Sequence, residues 1–502
     1  MEAMRLQVSD LVHLLPELTL VIAAVVLSVL DLLLPNRVNR KFIGWLTLVS
    51  LIISGVFVVL QLNPAESIEL LANSYRVDDF ASLMKLVFIV GTGFVVYMSF
   101  SYVKKDEIYH VGEYYYFMLP ATLGAFVMAS SADLITLYVG LELLSITSYI
   151  MVALRKKSQR SNEAAFKYLV MGAIASAIIL YGMSFLYGIS GSTNLVDIRA
   201  AIASNFHSYE MIVYIASFLL IAGLSFKIAA APFHAWAPDV YEGAPTPVTS
   251  FLAVVSKAAA FAMIFRMIYV LFAVGTYQEV ADAVMLALSV IAAAAMIIGN
   301  VTALRQHSFK RLLAYSGVAN AGYLLVPITA HFSTAHFSNF SEFLYYLIAY
   351  LFMNIGAFAV LMILERSTGS DQISGFAGLY HRAPYTAGAM TLIVLSLAGF
   401  PITGGFFGKL YILLGAMETQ HYWLAAIMLA TTVIAYYYYF GIIRQMFMRS
   451  GDESETIKVP LTLGVTAWIC AIIGVGLGFF PHVILNALEK IFSLTKDLLL
   501  LS

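Results

Sequence analysis

Long apolar runs separated by short polar segments make up almost the whole chain. Many reach eighteen residues or more, and a helix rising about 1.5 Å per residue then spans the roughly 30 Å hydrocarbon core of a bilayer. The pattern therefore predicts an all-α polytopic membrane protein with about fourteen transmembrane helices. Within a few residues, these helices are at 13–34, 42–62, 80–102, 115–130, 131–153, 164–189, 211–231, 247–273, 280–304, 310–328, 341–365, 386–414, 422–447 and 460–488.

Composition agrees with this class and excludes several others. Of 502 residues, 61% are hydrophobic and 11% are charged, and the mean hydropathy is +0.87. A net charge of -1 without charged tails gives no sign of a nucleic-acid partner. The single cysteine, Cys470, excludes an internal disulfide, a Cys-ligated iron–sulfur cluster and a CxxC motif within this chain.

Basic residues orient the predicted bundle, because cytoplasmic loops of membrane proteins carry an excess of Lys and Arg. Alternate loops hold most of them, with Arg76 and Arg199 as exceptions on the other side. The biased loops contain Arg37, Arg40, Lys41, Lys104, Lys105, Arg155, Lys156, Lys157, Arg160, Arg305, Lys310, Arg311, Arg366, Arg382, Arg444 and Arg449. The expectation is a multi-pass protein of a bacterial plasma membrane, with both termini outside.

Four ionisable residues interrupt the apolar runs: Glu142, Lys227, Lys257 and Lys409. A charge at the bilayer centre costs roughly 2.5–3.5 kcal/mol on insertion scales, so such groups face protein, a partner or water and are functional candidates. Lys257 lies about ten residues, or roughly 15 Å, into its span, too deep to reach the headgroups easily.

The chemistry of these four residues favours proton transfer over simple ion pairing. One acid cannot neutralise three lysines, and desolvation disfavours the charged form of an unpaired lysine. A nearby carboxylate has the reverse effect. A contact between Glu142 and Lys227 that opens and closes would thus move the lysine between its charged and neutral forms. The alternative is that the four groups form structural ion pairs that fix helix packing.

Lys167 and His234 are further candidates. Lys167 is one turn from the predicted start of its span and four residues after Glu163, so snorkelling or a surface pair explains it equally simply. His234 and Trp236 lie beside Pro232, where they would line a water path or serve packing.

Two spans contain residues that break helices. Pro232 follows Lys227, while Pro401 and the Gly404–Gly405 pair precede Lys409. Broken transmembrane helices at matching places in two halves indicate inverted repeats around a transport site. Spans seven and twelve are expected to be broken in this way. The predicted divisions are 1–114 for the first three spans, 115–273 and 280–447 for two inverted five-helix repeats, and 448–502 for the last span.

Other motifs are weak or absent. His331 and His336 have a metal-compatible spacing but lack the acid and helix of a zinc protease. The sequence contains no P-loop, dinucleotide-binding fingerprint or nucleophile elbow. No cofactor-binding or metal site is predicted in this chain.

Several stretches resemble the antiporter-like membrane subunits of respiratory complex I, over nearly the whole chain and most closely the N type. The similar stretches are PFHAWAPDVYEGAPTPVT at 232–249, SKAA at 256–259, LEL at 141–143, KRLLAYS at 310–316, GFP at 399–401 and GK at 408–409. The resemblance implies a proton-channel subunit of NADH-quinone oxidoreductase, a translocase driven by quinone reduction elsewhere in the complex. It implies an ion pair of Glu142 with Lys227, a relay lysine at Lys257 and an exit lysine at Lys409.

The same resemblance implies that NADH, FMN, iron–sulfur clusters and quinone bind partner subunits. The expected partners are homologous antiporter-like subunits, small helical subunits and membrane lipids. Two alternatives stay open at this point: an Mrp-type cation/proton antiporter subunit, in which a threonine tends to replace Ser256, and a scaffold subunit that does not pump.

Overall fold

The computed structural model describes residues 8–35, 38–64, 67–103, 108, 110–273, 278–329, 337–451 and 456–499. These residues are mostly helical, as the apolar runs predict. The α-helices are α1 (Val8–His13), α2 (Leu15–Leu33), α3 (Lys41–Leu60), α4 (Asp79–Tyr102), α5 (Val111–Tyr116), α6 (Met118–Ser130), α7 (Leu134–Val152), α8 (Gln159–Ser190), α9 (Leu195–Lys227), α10 (Trp236–Gly243), α11 (Thr246–Phe251), α12 (Lys257–Ile268), α13 (Gln278–Ala303), α14 (Phe309–Thr329), α15 (Asn339–Thr368), α16 (Leu379–Arg382), α17 (Pro384–Ala398), α18 (Gly404–Glu418), α19 (Tyr422–Met448), α20 (Leu461–Phe479) and α21 (Pro481–Ile491).

Shorter elements complete the described part of the chain. Strands β1 (Ile68–Leu70) and β2 (Tyr75–Val77) form one antiparallel hairpin. A 3₁₀ turn covers Ile373–Phe376, and π-helical turns cover Leu252–Ser256, Tyr269–Ala273 and Thr495–Leu499. The first π-helical turn joins α11 to α12, so that Thr246–Phe272 is one continuous span.

Twelve helices among the described residues are long and apolar enough to cross a membrane, which confirms the polytopic class. They are α2, α3, α4, α7, α8, α9, Thr246–Phe272, α13, α14, α15, α19 and α20. The other two predicted spans each consist of two shorter helices. In the first, α5 ends at Tyr116 and α6 restarts two residues before Pro120, a residue tolerated only in the first turn of a helix. In the second, residues 399–403 separate α17 from α18, where Gly399 adopts φ +84°.

Two predicted helix starts are wrong. Helix α8 begins at Gln159 instead of 164, because Ser158 caps its N-terminus by accepting a hydrogen bond from the Ser161 amide. Helix α9 begins at Leu195 instead of 211, with a kink at Tyr209. As a result, Lys167 lies about two turns inside its helix, instead of one.

Burial is highest in the middle of the bundle. Nearly every residue of Thr246–Phe272, α14 and α15 is buried, whereas α2 and α19 leave many apolar side chains exposed. Lys257 lies on the first of these central helices. Its side chain is therefore surrounded by protein and not by lipid.

The two ends of the bundle differ in charge. Arg155, Lys310 and Glu365 meet near the starts of α8, α11 and α14, and we call this the basic end. Asp78 and Asp497 meet at the opposite end. Lys310, which opens the predicted span at 310–328, lies in the first turn of α14 with 3% exposure and pairs with Glu365 at 3.2 Å. The predicted loop cations Arg37, Lys104 and Lys105, and the pair His331 and His336, lie outside the described residues.

Candidate functional site

Lys227 is the last residue of α9 and is held by hydroxyl groups. Its ammonium donates to Ser145 Oγ at 2.9 Å and to Ser176 Oγ at 3.1 Å. Glu142 lies one helical turn before Ser145, and its Oε1 is buried without a hydrogen-bond partner. Within the described part of the chain, no ion pair of 4.0 Å or less joins Glu142 to Lys227, so the expected pair is open in this structure.

Lys257 opens α12 directly after a π-helical turn, and its side chain is 3% exposed. Its ammonium donates to the carbonyl of Gly317 at 2.6 Å and lies 3.5 Å from the hydroxyl of Tyr350. π-Helical turns inside α-helices occur frequently at functional sites. A neutral carbonyl and a phenol, rather than a carboxylate, thus surround this lysine.

Lys409 is the sixth residue of α18, the helix that follows the break at 399–403, and it is also buried. Its ammonium donates to the carbonyls of Leu397 and Ala398, at 3.3 and 3.4 Å, and lies 4.8 Å from the ring centre of Tyr323. Those carbonyls end α17. A cation at a helix C-terminus interacts favourably with the unpaired carbonyls and the helix dipole, so the break creates the site for Lys409.

Polar side chains fill the space between Lys257 and Lys409. Ser316 and Tyr439 share a hydrogen bond, and Asn320 donates to Ser316 at 3.2 Å. Tyr346 then donates to Asn320 at 2.7 Å. Ser316 directly precedes Gly317, the residue whose carbonyl binds Lys257. We call Ser316, Asn320, Tyr346 and Tyr439 the polar chain.

The polar chain continues from Tyr439 to Tyr438, which donates to Asn300 at 3.0 Å, and from there to Tyr323, the ring beneath Lys409. Asn300 and Thr431 hold the Tyr323 hydroxyl at 3.3 and 3.2 Å. Sequence reasoning missed these residues. The available signal was the spacing of Ser316, Asn320 and Tyr323, which places three polar groups on one face of a helix that is otherwise apolar.

Lys167 belongs to a network of ion pairs at the basic end. Glu163 lies 2.8 Å away, as its spacing predicts, and Asp239 of α10 lies 2.7 Å away. Arg311 of α14 binds both Asp239 at 2.7 Å and Glu242 at 2.9 Å. Burial opposes ionisation of Asp239, but hydrogen bonds from Lys167 and Arg311 outweigh it and lower the pKa of that carboxyl.

His234 lies in the non-helical stretch between α9 and α10. Its ring centre is 6.1 Å from that of Tyr315, and its Nδ1 is buried without a hydrogen-bond partner. Trp236, the first residue of α10, instead stacks on Tyr168 and donates to the carbonyl of Phe226 at 3.0 Å. Trp236 therefore packs, whereas an unsatisfied nitrogen remains on His234.

Further buried charges were missed by sequence reasoning, although they lie within or beside predicted spans. Lys85 pairs with Glu17 at 2.7 Å, and Arg266 pairs with Asp78 at 2.6 Å. Glu342 is 2% exposed and has one carboxylate oxygen without a hydrogen-bond partner. Among the described residues, no group of three or more His, Cys, Asp or Glu side chains is arranged to hold a metal ion.

Residues 131–435 match the family described as NADH:quinone oxidoreductase/Mrp antiporter, TM. The NADH-quinone oxidoreductase subunit N of Paenibacillus sp. (strain JDR-2) is 51% identical, over 97% of this chain and 98% of that one. A chain of respiratory complex I from Thermus thermophilus has a TM-score of 0.79 and 30% identity, covering 95% of this chain and 100% of that one.

A chain of the Mrp complex from Dietzia sp. DQ12-45-1b has a TM-score of 0.82, covering 98% of each chain. Its identity is only 18%, so this likeness concerns the fold alone. The Paenibacillus relative, at 51% identity, is an N subunit, the type that the stretches around Lys257 indicate. The chain belongs to the NADH:quinone oxidoreductase/Mrp antiporter family of membrane proteins and, within it, to the N subunits of NADH-quinone oxidoreductase.

Proposed function

We propose that this subunit moves protons through a relay of Glu142, Lys227, Lys257 and Lys409, driven by quinone reduction in other subunits of the complex. Lys257 and Lys409 are buried and Lys227 is half-buried, and none of the three forms an ion pair of 4.0 Å or less among the described residues. A buried lysine with neutral ligands can lose its proton more easily than one paired with a carboxylate. A lysine that loses its proton easily is better suited to carrying protons than to serving as a permanent structural charge.

One observation carries the proposal: the polar chain joins the surroundings of Lys257 to those of Lys409 across the most buried part of the bundle. Hydroxyl groups both donate and accept, so such a chain can pass protons together with ordered water. Purely structural lysines would need no continuous polar connection between them. We therefore place proton transfer from Lys257 to Lys409 along this chain.

Glu142 and Lys227 form the first step of the proposed relay. In the open arrangement, the ammonium of Lys227 rests on Ser145 and Ser176. Moving one turn along α7 would bring it to Glu142, whose carboxylate favours the charged lysine. Closing the pair would retain a proton on Lys227, and opening it would release that proton towards Lys257.

Lys167 and His234 lie where protons would enter the relay from the basic end. Lys167 shares Asp239 with Arg311, and His234, five residues before Asp239 in the chain, has a buried Nδ1 without a hydrogen-bond partner. His234 can both bind and release a proton near neutral pH. We assign it to the entry path and assign Lys167 to the network that holds α10 in place.

The repeat arrangement remains part of the proposal. Residues 115–273 and 280–447 would form two inverted five-helix units, with 1–114 and 448–502 outside them. Each unit contains a helix interruption next to a relay lysine, Lys227 at the end of α9 and Lys409 near the start of α18. Such pairs of interruptions are typical of inverted repeats in transporters.

We place the subunit in a bacterial plasma membrane, with its basic end in the cytoplasm and both termini outside. NADH, FMN, iron–sulfur clusters and quinone would bind partner subunits. Neighbouring antiporter-like subunits, small helical subunits and lipids would cover its exposed apolar helices. The Mrp-type alternative shares the family and the fold, but the Mrp chain is only 18% identical, compared with 51% for the N subunit.

The test uses the assembled complex in inside-out membrane vesicles. We expect Lys227→Ala, Lys257→Ala and Lys409→Ala each to lower the number of protons pumped per electron, while the complex still assembles. An unchanged ratio in all three variants would leave only the scaffold role. Lys156→Ala, on an exposed loop residue, is the matched control and should pump normally.

A further inference from the structure

Lys409 needs a route to the opposite end of the bundle, and Glu342 lies along that route. Helix α18 carries Lys409 near its start and runs towards the opposite end, where Glu418 ends it. Glu342 lies in the first turn of α15, which begins at that same end. It is a buried acid that the proposed relay does not use.

The carboxylate of Glu342 lies against the backbone of α18. A Cβ added to Gly415 would be 2.9 Å from Glu342 Oε2, so the absence of a side chain at this position leaves room for the carboxylate. Gly415 is six residues beyond Lys409, or about 9 Å along the helix axis. The carboxylate thus lies beside α18 between Lys409 and the end of the bundle.

The surroundings of Glu342 contain acids rather than cations. Glu418 of α18 and Glu489 of α21 interact with it electrostatically, and so does the phenol of Tyr411. Glu489 accepts a hydrogen bond from the amide of Ser338 at 2.6 Å. Among the described residues, no Lys, Arg or His lies within 4.0 Å of the Glu342 carboxylate, and its Oε1 has no hydrogen-bond partner.

A structural carboxylate at 2% exposure is normally paired, because an unpaired buried charge is costly. An unpaired one suits a group that binds and releases protons. The negative charges of Glu418 and Glu489 would attract the proton from Glu342 towards the surface. The position, the free oxygen and the acidic surroundings therefore point to the same role.

We propose that Glu342 is the proton-release group of this subunit; this inference rests on the proposed relay. The ammonium of Lys409 gives its proton, through water, to the carboxylate of Glu342. The products are a neutral amine and a carboxylic acid. The acid then releases the proton to water at the opposite end, and Lys409 is reloaded from the polar chain.

The experiment compares Glu342→Gln with Lys409→Ala in inside-out vesicles that contain the assembled complex. Glutamine keeps the size of the side chain but cannot bind a proton. We expect the protons pumped per electron to fall by the same amount in both variants, with electron transfer retained when an ionophore dissipates the gradient. Glu279→Gln, on an exposed acid in the first turn of α13 at the same end, should pump normally.

The outcomes distinguish this inference from the proposed function. If Lys409→Ala loses pumping and Glu342→Gln does not, the release role is wrong and the relay stands. If neither variant loses pumping, both are wrong. If Glu342→Gln loses pumping as Lys409→Ala does and Glu279→Gln does not, both are supported.

An infrared difference spectrum provides a readout that a packing role would not affect. During turnover, we expect a carboxyl stretching band that shifts in D₂O and is absent from Glu342→Gln. If that variant does not assemble, Glu342→Asp takes its place, since its carboxyl band should appear at a different frequency. An unchanged band in Glu342→Asp would contradict the inference.

Discussion

Individual residues provide the hydrogen-bond acceptors of the three relay lysines. The sequence alone identified Lys227, Lys257 and Lys409, because a charge inside an apolar run is visible without a structure. It did not identify their ligands. Two of these lysines bind backbone carbonyls, and every residue has a carbonyl, so no residue type marks the site.

The ligand of Lys257 leads to a prediction at Gly317. A Cβ at this position would lie 2.9 Å from the ammonium of Lys257, so Gly317→Ala should displace the lysine from the Gly317 carbonyl. The displaced atom ends a flexible side chain, and the fold should therefore persist. We expect assembly at the normal level, with fewer protons pumped per electron in membrane vesicles.

A matched control is available on α19. A Cβ at Gly441 would meet no heavy atom within 4 Å, so Gly441→Ala makes the same change of residue in open space. It should leave pumping unchanged. Normal pumping in Gly317→Ala would show that the bond between Lys257 and this carbonyl is not needed for transport.

At the scale of helices, an interruption that contains proline or glycine could be predicted from the sequence. Interruptions without either residue could not. Pro401 and the glycines at 404 and 405 indicated the break that the structure places at 399–403. The interruption at Phe117 escaped prediction, because its proline, Pro120, lies in the first turn of the following helix and not in the interruption itself. The π-helical turn before Lys257 also has no residue signature, because its geometry depends on packing.

The contact between α12 and the start of α4 leads to a prediction about stability. Arg266 binds both carboxylate oxygens of Asp78, at 2.6 and 3.0 Å, and both side chains are fully buried. Arg266→Leu would leave Asp78 buried without a cation, a change that typically costs about 3–5 kcal/mol. We expect a clearly lower midpoint of thermal unfolding for the subunit in the solubilised complex.

Two further variants separate the charge effect from lost packing. Arg266→Leu combined with Asp78→Asn removes both charges and should recover part of the stability. Glu163→Gln breaks an exposed pair and should cost about 1 kcal/mol or less. Equal losses in the single and double variants would indicate that packing, and not the unpaired carboxylate, accounts for the effect.

For the whole molecule, hydropathy predicted the class and most spans, because burial in lipid requires long apolar helices with satisfied backbones. The resemblance around residues 232–257 identified the family. The connections between distant segments remained hidden. Glu342 lies beside α18, and Asp497 accepts a hydrogen bond from the amide of Asp79, 418 residues earlier, and only the folded chain brings such groups together.

The C-terminal segment leads to the last prediction, which concerns pH. Asp497 accepts a hydrogen bond from the Ser493 amide at 2.8 Å, and its own carbonyl accepts one from Arg266 at 2.9 Å. Burial, followed by the negative charges of Asp78 and Asp79, raises the pKa of Asp497 to about 7, although Lys496 opposes this shift. The docked segment therefore binds a proton that the released segment, with an ordinary aspartate pKa near ~4, does not.

The sign of the effect follows from this difference. Docking is strongest in acid, weakens as the pH rises from about 4 to about 7, and is constant above that range. Amide hydrogen exchange at residues 493–499, corrected for its intrinsic pH dependence, should therefore be faster at pH 8 than at pH 5.5. Asp497→Asn cannot ionise and should abolish the difference, whereas Asp282→Asn, on exposed α13, should preserve it. Equal protection at both pH values in the unmodified chain would mean that Asp497 stays charged when docked, held by its cationic neighbours.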